Sequence, residues 1–304
     1  MWIAGRPWSL RIEDGKVIER GEPRGELLLV PAFLDAHVHL AVAGKVQEEL
    51  LRYGIAAVLD LGAPLSAMPF GGSRLQVVFA GPMLTAPRGY PTQSCGANGF
   101  GAELASASDA REAVARVAAL GARFVKLAFD PRYPLLEVDT ARAAADEAHR
   151  RGLLVAAHAL EAESVRRALE AGCDVLAHTP REELPSQLLK RLRGKWVIST
   201  LRAFGVAPER LRALQNAGMR VAYGTDLGNE GTSPSIEQRE LELLAQAGVD
   251  PLRAATSAAA ELLGLADLGA LREGAQASLL AVRDLGPQAL AHPEQVYDRG
   301  TLLQ

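Results

Sequence analysis

The chain has 304 residues, is 48% hydrophobic and carries a formal net charge of -3. That length buries a large core and fits a single α/β barrel, and the near-balanced charge leaves no footprint for nucleic acid or an anionic membrane. Its two cysteines, Cys95 and Cys173, lie far apart and exclude a disulfide framework or a Cys-rich zinc pattern. The start Met1-Trp-Ile-Ala-Gly-Arg-Pro7 has no apolar region after a basic segment, so it does not read as a signal peptide. No apolar run approaches the roughly 20 residues that span a bilayer. The expectation is a soluble cytoplasmic protein with a small-molecule substrate, no nucleic-acid or membrane partner, and oligomerisation left open.

In chain order, residues 8–12, 16–18 and 27–30 read as short strands, with Asp14-Gly15 as a hairpin turn. Residues 277–282 and 295–297 have the same texture, with no helix expected between strands at either end. Residues 1–30 plus 267–304 are therefore expected to form one small β-sandwich domain. Between them, apolar runs recur at 32–39, 55–60, 75–80, 124–128, 153–158, 174–178, 196–200 and 221–226. Stretches with helical spacing separate most of them, as at 109–120, 139–151, 161–171 and 208–217. Ser108 is expected as an N-cap, and Gly121, Gly152 and Gly172 as C-terminal stops. Near-continuous apolar strands alternating with helices imply a parallel sheet covered on both faces. Eight such units over 31–266 predict a (β/α)8 TIM barrel, an α/β fold. An open doubly wound sheet is the competing reading, but it usually offers a Gly-rich phosphate turn where His37-Val-His39 stands.

Active sites of such barrels lie at the C-terminal ends of the strands. The first run ends in His37 and His39, which i, i+2 spacing points to one side of a strand. The fourth carries Lys126, the fifth ends in His158, the sixth in His178 and the eighth in Asp226. Four of the six histidines thus fall at strand ends, while His149 and His292 are expected to be solvated. Each residue alone has a plain reading: a hydrogen-bonded rim histidine, a turn aspartate, a snorkelling lysine. Together they form a metal-ligand set. Imidazole with carboxylate favours Zn2+, with Fe, Mn or Co as alternatives. Lys126 sits among apolar neighbours in a chain whose other lysines are only Lys16, Lys45, Lys190 and Lys195. Lys, unlike Arg, shifts its pKa readily on burial.

This pattern resembles the amidohydrolase superfamily, and Pro31-Ala-Phe-Leu-Asp-Ala-His-Val-His39, Gly224-Thr-Asp226 and residues 254–264 agree with it. Gly121-Ala-Arg-Phe-Val-Lys126 and Val155-Ala-Ala-His158 resemble the imidazolonepropionase-like and prolidase-like branch. The pattern departs from that branch at Thr179, at Ser278 and in a short loop after the first run. The resemblance implies carbamylation of Lys126 by CO2, which would make it a carboxylate equivalent bridging two metals. Two metals would then stand about 3.5–4 Å apart, one on His37, His39 and Asp226, the other on His158 and His178, with Lys126 between. The alternative is one metal on His37, His39, His158 and Asp226, with Lys126 a charged neighbour. The expected activity is hydrolysis of an amide-type C–N bond in a dipeptide, N-acyl amino acid or cyclic amide. The attacking group would be a metal-activated hydroxide, with Asp226 as general base and then acid. A mononuclear deaminase or a non-catalytic binding barrel are the other readings. Lys126 argues against the first, and retention of all six ligands against the second. Arg88, Tyr90, Tyr133, Arg202 and Tyr223 lie in or near the segments after runs three, four and seven or on run eight, and of these Arg202 and Tyr90 are the favoured substrate contacts.

Overall fold

A computed structural model describes residues 8–22, 25–94, 96 and 98–304. Cys95 and the first seven residues, both used in the sequence reading, lie outside that set. Eight parallel strands form the core: β1 (Phe33–Val38), β2 (Ile55–Asp60), β3 (Gln76–Phe79), β4 (Phe124–Ala128), β5 (Leu154–His158), β6 (Val175–Leu176), β7 (Trp196–Ile198) and β8 (Arg220–Ala222). Every residue of β1, β2 and β4 is buried, as expected of strands covered on both faces.

The third strand is broken. Its first part pairs with β2, and the chain then resumes as Met83–Thr85, which pairs with β4. The ring closes between β8 and β1. Ala36 N–H donates to Tyr223 O at 2.9 Å, Asp226 N–H to His37 O at 2.9 Å, and His39 N–H to Leu227 O at 2.7 Å. The barrel is thus complete, and the sixth strand is shorter than the residues 174–178 expected. Phe33 at the start of β1 is fully buried and packs edge-on against Tyr223, their ring centroids 6.2 Å apart.

Helices Ala107–Ala119, Val138–Arg150, Ala162–Ala171 and Pro208–Asn216 match the predicted stretches to within two residues. The cap of the first is Ser106, whose hydroxyl accepts from Asp109 N–H at 3.2 Å; Ser108 lies inside the helix. The earlier serine wins because only it has the extended backbone that a cap requires.

Strands from both termini pair in one antiparallel sheet, Leu28–Pro31 beside Leu279–Val282, then Gln295–Asp298 and Thr301–Leu302. Ser9–Glu13 and Lys16–Gly21 form the hairpin around Asp14-Gly15. A short helix, Pro287–Ala291, interrupts the expected all-strand C-terminus. Its Pro at the first helical position presets the backbone and has no N–H to leave unpaired. Among the described residues no helix is long and apolar enough to cross a membrane.

Phe33→Ala removes a ring from the closure seam and should cost about 3–5 kcal/mol of stability. Urea unfolding of the purified variant measures this; a loss below 1 kcal/mol would mean that the seam repacks.

Candidate metal centre

All six predicted residues lie at one end of the barrel and all are buried, His39 being the most open at 8% exposure. Barrel geometry brings them together: β1 supplies His37 and, one residue past its end, His39; β4 supplies Lys126 and β5 His158. His178 and Asp226 lie just past the ends of β6 and β8.

The hydrogen bonds fix how the rings are used. His37 Nδ1 lies 2.9 Å from Ala177 O, and His39 Nδ1 lies 3.1 Å from Gly62 O. A carbonyl oxygen only accepts, so each Nδ1 carries a proton and each Nε2 is turned toward the centre of the site. Both Nε2 atoms face the same carboxylate oxygen, Asp226 Oδ1, at 3.2 and 3.3 Å. Burial, reinforced by the Lys126 charge, holds the His37 pKa well below its ordinary value and keeps the ring neutral. Asp226 Oδ1 is buried and has no hydrogen-bond donor among the described residues. Three electron-rich atoms from His37, His39 and Asp226 therefore converge within 4.8 Å of one another. Such a cluster is costly unless a cation sits among it, so the donor set fits a transition metal.

The second half of the site adjoins the first. His178 stacks on His37 with centroids 4.6 Å apart, and its Nδ1 lies 3.1 Å from Thr200 Oγ1. His158 stands nearly perpendicular to His178, centroids 4.9 Å apart. Burial pushes the His158 pKa down to about 3, helped by the Lys126 charge, so it too is a neutral donor. Lys126 Nζ lies 3.1 Å from His37 Nε2, against the first histidine pair.

The shell that holds these rings lies outside the predicted ligand set. Asp35 shares the i, i+2 alternation of His37 and His39, and that spacing was the signal available. Its carboxylate accepts from His37 N, Thr225 N and the Thr225 hydroxyl, tying β1 to the loop that carries Asp226. Burial raises the Asp35 pKa to about 7, against the lowering effect of the Thr225 hydroxyl. Asp60 ends β2 and accepts from Leu40 N at 2.7 Å and Gly62 N at 3.0 Å, which holds Gly62 O against His39. Of the candidate substrate contacts, Tyr223 is fully buried, its hydroxyl accepting from Glu237 N–H at 2.9 Å, so it does not face the mouth. Arg202 is engaged by Glu237 and Gly231 O. Tyr90 stacks on His158 with centroids 4.7 Å apart and lies 5.8 Å from the Tyr133 ring. His149 reaches Asp174 at 2.8 Å on the surface.

Residues 199–301 match the model of the amidohydrolase family. An uncharacterized protein of Mycobacterium tuberculosis is 27% identical over 320 residues, covering 90% of this chain and 84% of its own. A crystal structure of a Bifidobacterium longum protein assigned as a prolidase superposes with a TM-score of 0.76 at 25% identity, over 97% of this chain and 89% of that one. A Xaa-Pro dipeptidase with methionine in its active site superposes with a TM-score of 0.79 at 18% identity, over 97% and 94%. With a closed barrel and this site, the chain is similar to the amidohydrolase superfamily and to its prolidase-like members.

A methyl group on Gly62 would stand 2.9 Å from His39 Cε1, so Gly62→Ala must turn that ring. The expected outcome is metal affinity weakened by about 10–100-fold, as for other lost supports of a ligating histidine. Competition against a chelator measures it, and unchanged affinity would remove His39 from the ligand set.

Proposed function

We propose that this chain is a metal-dependent hydrolase of amide-type C–N bonds in dipeptides, N-acyl amino acids or cyclic amides. The observation that carries the proposal is the facing of two imidazole Nε2 atoms and one carboxylate oxygen that has no hydrogen-bond partner among the described residues. In this reading His37, His39 and Asp226 hold one cation. His158 and His178 would hold a second, with Lys126 as its carbamate a further ligand; Lys126 Nζ stands 3.1 Å from His37 Nε2. Zn2+ suits this mixture of imidazole and carboxylate. When bound, the metal polarises the scissile carbonyl and lowers the pKa of water toward about 7.

The chain's own residues do the rest. Asp226 takes the proton of the attacking water and delivers it to the leaving nitrogen as the C–N bond breaks, acting as base and then acid. Its position follows from the backbone bond of Asp226 N–H to His37 O, which fixes it against β1. The carbonyls of Ala177 and Gly62 hold His37 and His39 in the tautomer that presents Nε2. Tyr90 stacks on His158 and packs an aromatic ring against that half of the site.

Asp226→Asn should lower kcat by about 10²–10⁴-fold while most of the metal stays bound. Near-normal turnover would overturn the acid–base role. Metal analysis of protein prepared without chelators distinguishes the two ligand arrangements. Two equivalents whose retention depends on bicarbonate support the carbamate bridge; one equivalent indifferent to bicarbonate leaves a single-metal hydrolase. A panel of X-Pro and other dipeptides, N-acyl amino acids and cyclic amides then identifies the bond cleaved, and inactivity of the metal-loaded protein on all three classes would sink the proposal.

A further inference from the structure

The turn that follows β4 carries an arrangement that the metal centre does not use. Asp130 is 4% exposed, yet it is bonded to a side chain that is 70% exposed, that of Arg132. Arg132 Nε donates to Asp130 Oδ1 at 3.0 Å and Nη2 to Oδ2 at 2.6 Å, a two-pronged grip. Arg132 N–H adds a bond to Oδ1 at 3.0 Å, and Tyr133 N–H donates to Asp130 O at 3.1 Å, which closes the turn. Placing a carboxylate in the interior is costly, and an ion pair with an exposed arginine returns little stability. What the arrangement does secure is direction. A surface arginine is ordinarily free to swing, whereas this guanidinium is held in one plane.

That plane lies beside the reaction centre. Phe129 N–H donates to His158 O at 2.9 Å, so the turn leaves β4 against the end of β5. The next residue, Tyr133, faces Tyr90, which in turn lies on His158. The grip on Asp130 uses Nε and Nη2 and leaves further N–H groups of the fork to meet a second carboxylate. Two other arginines near the mouth are already engaged. Arg202 is taken by Glu237 and Gly231 O, and Arg181 lies over the Phe204 ring, 5.3 Å from its centroid.

We infer that Arg132, locked by Asp130 and flanked by Tyr90 and Tyr133, is the subsite that binds a free carboxylate of the substrate. This rests on the hydrolase reading above and narrows it: an N-acyl amino acid or a dipeptide with a free C-terminus is preferred over an uncharged cyclic amide. Arg132 is the binding group, and Asp130 is a positioning residue.

Matched pairs of N-acyl amino acids and their C-terminal primary amides test the subsite, with release of the amino acid or its amide as the readout. Wild type should favour the acid by about 30-fold or more in kcat/KM, mainly through KM, the scale of a lost charge-assisted bidentate contact. In Arg132→Met that ratio should collapse toward about one. The double variant Asp130→Asn/Arg132→Met leaves no orphaned charge and should give the same collapse with a melting temperature near that of wild type. Arg132→Lys should recover only part of the preference. No preference in wild type, or one that survives both variants, would overturn the inference and leave the hydrolase reading intact. Should the protein cleave no amide, the hydrolase reading fails instead, and calorimetric titration of 3-phenylpropanoate against 3-phenylpropanamide still reads the subsite without turnover. Tighter binding of the carboxylate that is lost in both variants supports it; equal binding across the three proteins overturns it.

Discussion

Barrel closure is the constraint on which the rest depends. The backbone bonds from Asp226 N–H to His37 O and from His39 N–H to Leu227 O join the first strand to the segment after the last. The same bonds carry the Asp226 carboxylate across to two imidazoles 187 and 189 positions earlier in the chain. Neither histidine could keep its orientation if the seam opened, because the seam contributes both the rings and the group they face. Fold and chemistry thus share one set of hydrogen bonds, and a loss at the seam is felt by both.

A cluster this polar in a barrel interior has to be held by design of its surroundings, since uncompensated buried groups are costly. The structure supplies fixed partners: the carbonyl acceptors Ala177 O and Gly62 O for two rings, and the Thr200 hydroxyl for a third. Behind them, Asp35 and Asp60 collect backbone and hydroxyl donors, and they tie β1 to the loops after β8 and β2. The outcome is a rigid cradle whose inner surface is made of lone pairs. Rigidity of this kind is what a metal site needs to resist distortion by its own charge.

Much of this was legible in the sequence. The eight runs, the strand-end histidines, Lys126 and Asp226 all follow from alternation and from the rule that barrels react at one end. What was not legible has a common cause. The break in the third strand, the shell of Asp35 and Asp60, and the engagement of Arg202 by Glu237 are relations between distant segments, and a local pattern carries no trace of them. Tyr223 illustrates the point: its place at the end of a strand suggested the mouth, and its packing against Phe33 puts it in the core. The extra helix Pro287–Ala291 escaped because its five residues are too few to show a period.

Asp226 sits with φ at +59°, in the left-handed region. Aspartate tolerates this region better than most side chains, but the strain still reaches up to about 1–2 kcal/mol, which glycine would not feel. Under the acid–base role proposed for Asp226, folding and reactivity pull in opposite directions at this one position. A copy of the gene released from selection for activity would drift here toward glycine or asparagine and gain stability as it did so. Under that role, the acid at 226 is a running record of use: a lineage that keeps it maintains a reaction against a standing thermodynamic incentive to stop.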